Sequence, residues 1–226
     1  DAAPLKARLE QRGHTVTVTP LLRIVAREGI DIPDLGYQLA VATSANGIRS
    51  LEANDHVKSL RMLTVGPQSL AAAKDAGFTR AEAQGGGVAG LAAFIAANFR
   101  PEAGPVLYLS GAETSGDLQG SLQSLGYTVD RLTLYDAVPA TSLGGASSVI
   151  AQGKASGVML YSPRTARIWS ALVRQQGLEA RAAKLNHFCL SANVAMALPE
   201  TWRRAIANSP HEDAMLALLD QTPGTV

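Results

Sequence analysis

A single cysteine, Cys189, stands in 226 residues, so no internal disulfide framework holds this chain and its cores must come from burial. The four histidines, His14, His56, His187 and His211, show no His-x-x-x-His spacing, and no zinc site is expected. Charge of one sign is also missing. Twenty Lys and Arg against nineteen Asp and Glu leave a net charge of +1, which supplies no field to draw the chain to nucleic acid or to an anionic membrane. No apolar run approaches the ~20 residues of a membrane helix, and no secretory signal opens the chain. A soluble, reducing, cytoplasmic setting is expected. The chain begins at Asp1, without Met or a leading strand, so a few native residues are expected to be absent ahead of it.

What is present is apolar: 46% hydrophobic residues but only 5% aromatic, enough for about one large domain or two small ones. Short β-rich runs alternate with Ala- and Leu-rich helical runs. Residues 37–43, 61–65, 106–109, 128–134, 158–161 and 188–190 read as strands, which is the order of an α/β fold. Runs such as Val106-Leu107-Tyr108-Leu109 lack in/out alternation and predict parallel strands covered on both faces. Ligands of such sheets sit at the carboxyl ends of the strands. Gly66-Pro67 predicts a helix start, with Gly77 as its left-handed cap. Ser209 and Glu212 have the spacing of a capping box.

A weak internal repeat runs through the chain, at offsets of 113 (Leu9 to Leu122), 118 (Ser44 to Ser162) and 125 (Gly66 to Ser191). The first pair is helix, glycine (Gly13, Gly126) and strand (Thr15 to Val18, Thr128 to Leu132); the others are strands running into a helix cap. Two similar α/β lobes are expected. The pattern breaks around Leu21 to Arg27 and Arg131 to Val138, which read as extended crossings. The first lobe is then 1–22 with 139–226, the inserted lobe 28–131, and the linkers 23–27 and 132–138, with hinge motion about a central cleft.

Ser44, Ser162 and Ser191 each follow a strand and lead a helix, where free backbone N–H groups and a positive dipole end suit carboxylates or phosphates. The bland alternative is a plain N-cap. Gly85 to Gly90 satisfies G-x-G-x-x-G, but the acidic residue that should hold a ribose is replaced by Leu109-Ser110. Gly111 to Gly116 has P-loop glycine spacing, with Asp117 where a phosphate-binding lysine belongs. Fifteen of the twenty basic residues are arginines, and Arg164 and Arg167 follow Ser162 closely. His187 and Cys189 flank a buried strand and read as core. Tyr135 stands on the second crossing, where a phenol would lie near the cleft and could donate to a leaving oxygen.

Ala42-Thr43-Ser44-Ala45-Asn46-Gly47, Val65-Gly66-Pro67-Gln68-Ser69, Leu107-Tyr108-Leu109-Ser110-Gly111, Leu125-Gly126-Tyr127-Thr128-Val129, Leu134-Tyr135-Asp136-Ala137-Val138 and Tyr161-Ser162-Pro163 form an ordered set that resembles the uroporphyrinogen-III synthases. The resemblance implies two similar lobes, each a flavodoxin-like parallel sheet flanked by helices. It implies a monomer without cofactor or metal, acting on hydroxymethylbilane with no nucleic acid or membrane partner. The implied reaction loses the hydroxyl to give an azafulvene cation, attacks the substituted carbon of ring D, and passes through a spiro intermediate to the type III isomer. On the same resemblance Tyr135 is the catalytic tyrosine. Thr43, Ser44, Gly66, Ser69, Ser110, Gly111, Ser162, Ser191 and Asn193 hold the acetate and propionate arms. The junction Ser191-Ala192-Asn193-Val194 departs from the family's usual Gly and hydroxyl residues.

Two other classes compete. A two-lobed binder of anionic small molecules should carry a signal peptide and greater length, and a nucleotide-dependent transferase should carry an intact phosphate loop; neither feature is in the sequence.

Overall fold

The computed structural model describes residues 2–52 and 55–221. In chain order the elements are α1 (Ala3–Gln11), β1 (Leu22–Ala26), β2 (Leu39–Ala42), α2 (Ala45–Arg49), α3 (Asp55–Ser59), β3 (Met62–Thr64), α4 (Pro67–Asp75), β4 (Ala81–Ala83), α5 (Gly87–Asn98), β5 (Val106–Gly111), α6 (Leu118–Ser124), β6 (Val129–Pro139), α7 (Ala146–Ala151), β7 (Gly157–Leu160), α8 (Pro163–Gln175), α9 (Glu179–Ala182), β8 (Asn186–Cys189), α10 (Ala192–Met196), β9 (Arg204–Ile206) and α11 (Glu212–Asp220). They fall into two compact units, Ile24–Val138 and the pair of segments Asp1–Arg23 and Pro139–Val226.

The Ile24–Val138 unit holds a six-stranded sheet in the order β1-β6-β5-β2-β3-β4. Strands β2 to β6 are parallel, with Ala42 beside Thr64 on one side and Leu109 on the other. Its central strands are buried throughout, which is why they read as unbroken apolar runs. Ala40, Ala42, Leu107 and Leu109 face one core with Ile48 and Ala73, while Leu39, Val41, Val106 and Tyr108 face the other with Leu91 and Ile95. β1 runs against β6: the Arg27 amide donates to the Leu134 carbonyl (2.8 Å), and the Ala140 amide to that of Leu21 (3.0 Å). The Arg27 guanidinium also forks onto the Asp136 carboxylate at 2.8 and 2.9 Å. That pairing holds the Asp136 carboxyl below its ordinary pKa.

The other unit has a smaller parallel sheet, β7-β8-β9, so the two sheets are unequal where similar lobes are expected. Phe188 packs with Leu9, Met215 and Leu216 on one side, and Cys189 with Trp169, Leu172 and Trp202 on the other. The Thr15 to Val18 strand does not form. Val16 rests on the Phe188 core, but residues 14–20 make no ladder with a sheet that ends at β7 and β9, and an extended segment without a neighbour is no strand. β4 and β9, three residues each, are too short for the period-two signal to register. The Ser209 capping box also does not form: α11 starts at Glu212 with His211 as N-cap and no side-chain cap. The Glu212 carboxylate is taken instead by Arg8 of α1.

The two copies of the first repeated module share their hydrogen bonding. Gly13 (φ 86°) and Gly126 (φ 88°) both adopt the left-handed conformation that only glycine takes without strain. Behind them the His14 and Tyr127 amides return to the Leu9 and Leu122 carbonyls at 3.1 Å.

Candidate active site

The carboxyl ends of β3, β2, β5 and β6 lie side by side, and parallel register decides which residues come next in space. Ala42 is level with Thr64 and Leu109, so Ser44, Gly66 and Gly111 each stand two residues past the same row. Ser44 caps α2, its hydroxyl accepting from the Asn46 amide at 3.2 Å. Gly66 caps α4 with extended backbone (φ −155°), and nothing lies within 4 Å of where a Cβ would stand. Ser69 is buried in the first turn of that helix.

A break in register aims Tyr135. Val106 to Ser110 pair one for one with Val129 to Thr133, but Gly111 pairs with Tyr135, leaving Leu134 as an extra residue in β6. Strand side chains alternate; the bulge cancels one alternation, so Leu134 and Tyr135 both enter the core cluster of Ala42, Ile48 and Leu109. Bulges commonly re-aim side chains next to sites. The Tyr135 ring occupies the space of the missing Gly111 side chain: a Cβ there would stand 2.5 Å from Cζ and 2.9 Å from the hydroxyl oxygen. The residue is only 7% exposed, yet its hydroxyl is not among the buried polar atoms lacking a partner and makes no hydrogen bond among the described residues. A packed ring with a solvent-reaching, uncommitted hydroxyl is thus set at the strand ends.

On the opposite face of the same strand ends lie Thr43, Tyr108, Ser110 and Arg131. The Thr43 and Tyr108 hydroxyls are 3.1 Å apart. Burial pushes the Tyr108 phenol above its ordinary pKa, opposed by the Thr43 hydrogen bond and by Arg131; Tyr135 and Asp117 also lie close enough to act on it. Ser110 is 2% exposed and is already satisfied, donating to the Leu132 carbonyl at 3.3 Å and accepting from Arg131 Nε at 2.8 Å. As a substrate ligand Ser110 would share a hydroxyl that already donates and accepts once within the sheet. The Asp117 carboxylate caps α6, accepting from the Gly120 amide at 2.8 Å, so the glycine-spaced loop before it ends in an ordinary helix start.

In the other unit Leu160 is level with Cys189, so Ser162 and Ser191 each stand two residues past a paired row. Ser162 and Thr165 form a reciprocal capping box, the Thr165 amide donating to the Ser162 hydroxyl at 3.1 Å. Ser191 caps α10 with no side-chain bond, and Asn193 in its first turn is exposed. Arg164 is half-buried and Arg167 exposed. His187 and Cys189 are both fully buried. His187 stacks on Trp202 at 4.8 Å and meets Trp169 edge-on at 6.2 Å; burial holds it below its ordinary pKa. Burial pushes the Cys189 thiol up to about 11, which keeps it unreactive.

Sequence reasoning missed Tyr108 and Arg131. Both left a signal: a lone phenol in an aliphatic strand needs a partner for its hydroxyl, and a guanidinium on a helix-covered face needs acceptors. Among the described residues no helix is long and apolar enough to cross a membrane, and no group of three His, Cys, Asp or Glu could hold a metal ion.

The uroporphyrinogen-III synthase HemD family model matches residues 3–217. The chain belongs to the uroporphyrinogen-III synthase family. It is a cyclising hydro-lyase that dehydrates and closes hydroxymethylbilane, with inversion of ring D, to uroporphyrinogen III in tetrapyrrole biosynthesis. Among solved structures, uroporphyrinogen-III synthetase from Helicobacter pylori is similar at 15% identity and TM-score 0.65, over 88% of this chain and 89% of that one. A mutant uroporphyrinogen III synthase from the extreme thermophile Thermus thermophilus is similar at 17% identity and TM-score 0.54, over 97% and 95%. At these identities the likeness is one of fold. Comparison with curated proteins gives no match.

Proposed function

We propose that Tyr135 is the catalytic donor of this uroporphyrinogen-III synthase, assisting departure of the substrate hydroxyl. The observation that carries the reading is the bulge at Leu134, which packs the Tyr135 ring onto Gly111 and leaves its hydroxyl uncommitted. In the step assigned to it, the bond from the hydroxymethyl carbon to oxygen breaks and the electron pair leaves with oxygen. That oxygen takes up a proton and departs as water, leaving the azafulvene cation. A phenol hydrogen bond to the departing oxygen lowers that barrier in the way positioned acids do. Ring-D attack, spiro fragmentation and reclosure then occur in the substrate itself, and the final proton returns to solvent.

The same reading gives the acetate and propionate arms to strand-end donors, which supply local positive potential without net charge. Gly66 supports this: neither packing nor strain within its unit demands glycine there, whereas a carboxylate approaching the first turn of α4 does. Thr43, Ser44, Ser69 and the backbone at Gly111 complete that set. In the other unit the start of α8 at Ser162, with Ser191 and Asn193 before and in α10, takes further arms. The reading also includes a monomeric, cytoplasmic enzyme that needs no nucleic acid, with residues 23–27 and 132–138 as linkers between lobes 1–22 with 139–226 and 28–131.

The test is incubation with enzymatically generated hydroxymethylbilane and separation of the product isomers. Type III product is expected, and only type I, the product of spontaneous closure, would overturn the reading. Tyr135→Phe should lower kcat by about a hundredfold with an unchanged melting temperature; a wild-type rate removes Tyr135 from the mechanism.

A further inference from the structure

Arg131 of β6 holds three acceptors at once at the end of the neighbouring strand. Its Nε donates to the Ser110 hydroxyl at 2.8 Å, and one terminal nitrogen donates to the Gly111 carbonyl at 2.8 Å and the Ala112 carbonyl at 3.1 Å. These are the residues on which Tyr135 depends. Gly111 is the surface its ring packs against, and the Ala112 amide donates to the Tyr135 carbonyl at 2.9 Å. The ordinary ladder is broken at this point, since the bulge shifts register between Ser110 and Gly111. Two carbonyls turned out of a ladder, the Gly111 one part-buried and the Ala112 one at the exposed strand end, lack their ladder donors, and the planar fork of an arginine can satisfy several acceptors in one fixed geometry. No carboxylate joins this cluster among the described residues, so the guanidinium is committed to holding backbone.

We propose that Arg131 is a positioning residue for ring closure, fixing the β5 end and the Leu134 bulge so that the Tyr135 hydroxyl sits where the leaving oxygen arrives. This rests on the assignment of Tyr135 made above. It acts through Tyr135 and touches no substrate, which separates it from the carboxylate-binding arginine that a polyanionic substrate would first suggest.

The experiment is a double-mutant cycle on the full chain with enzymatically generated hydroxymethylbilane, reading kcat, KM, isomer ratio and melting temperature for Arg131→Met, Arg131→Lys, Tyr135→Phe and the Tyr135→Phe combinations. Arg131→Met should lower kcat by roughly tenfold to a hundredfold, as a misplaced group does, while KM stays within about twofold. Slower catalysis lets substrate close unaided, so the type I share should rise. In the Tyr135→Phe background the same substitution should change kcat by less than about twofold, because the group it positions is already gone. Arg131→Lys keeps the charge but loses the fork, so it should retain most of the defect; should Arg131→Met lower the melting temperature, the lysine variant carries the cycle alone. Additive losses, a full rescue by lysine, or a raised KM with unchanged kcat would overturn the proposal. If Tyr135→Phe runs at the wild-type rate, the Tyr135 assignment falls and takes this inference with it; if Tyr135→Phe is slow and the Arg131 losses are additive, only this inference falls.

Discussion

At the ends of β5 and β6, side chains answer one another across strands: Tyr135 lies on Gly111, Arg131 holds Ser110 and two carbonyls, and Thr43 meets Tyr108. At the ends of β7 and β8 the equivalent positions behave differently. Ser162 spends its hydroxyl on its own helix start, and Ser191 makes no side-chain cap. The polar groups buried beneath them, His187 with Trp169 and Trp202, form an aromatic stack with no opening to a ligand. Two edges built on the same strand-to-helix plan thus divide the work. One has a register break that aims Tyr135; the other keeps its ladder and presents helix starts. On the function proposed above, the shared plan is a shared way of binding anions and the local defect is what places the donor.

The comparison breaks most sharply at Gly111. Gly111→Ala puts a methyl group 2.5 Å from the Tyr135 ring, so ring or strand must move, at about 1–3 kcal/mol of stability by the usual cost of overpacking. Because the displaced ring carries the proposed donor, kcat should fall at least tenfold at temperatures where the fold persists. Normal turnover with a lowered melting temperature would mean that the ring contact is packing alone, and the two edges would be less different than they look.

Ser162 and Ser191 sharpen the other side. Ser162→Ala removes the hydroxyl half of a capping box and leaves the backbone amide of residue 162 its bond to the Thr165 hydroxyl; it should cost about 1 kcal/mol, read as a lower denaturation midpoint. Ser191→Ala removes no cap bond, so its stability should change by less than about 0.5 kcal/mol. If either serine also holds a carboxylate arm, its alanine variant raises KM at constant kcat; a change in kcat with constant KM would move chemistry to this edge and undo the division.

How much of this is readable before folding depends on the reach of each signal. The β2, β3, β5, β7 and β8 runs are visible because buried parallel strands are locally apolar, and Gly13, Gly77 and Gly126 because a left-handed cap is a local demand. β4 and β9 are three residues long, and the Thr15 to Val18 segment has strand chemistry without a strand to pair with; pairing is not local. The candidate site divides the same way. Tyr135 stands out by its position on a crossing, but its aim depends on the bulge, set only when Gly111 and Tyr135 find register. Arg131 is one arginine among fifteen until its three acceptors are brought to it by β5. Ser110, a candidate ligand by position, also accepts from that same arginine, a contact that no local pattern announces.

The smallest effect concerns the aromatic stack. His187 is fully buried, its Nδ1 donating to the Arg203 carbonyl at 3.0 Å and its Nε2 without a partner among the described residues. Desolvation, the leading cause, lowers its pKa from the ordinary 6.5, against the backbone at Arg203 and Leu185, which raises it. The folded state therefore prefers the neutral ring, and between the two pKa values the unfolded chain binds more protons. Stability from this group is complete above about pH 6.5 and declines as pH falls below it, with a slope no steeper than about 1.4 kcal/mol per pH unit. Chemical denaturation from about pH 7.5 to 5.5 should show that decline, and His187→Phe, which keeps a ring against Trp202, should flatten it. An unchanged slope in the variant would transfer the pH dependence to other groups and leave the stack as packing only. A flattened slope with unaltered kcat would keep the acid sensitivity of this unit separate from the chemistry assigned to β5 and β6.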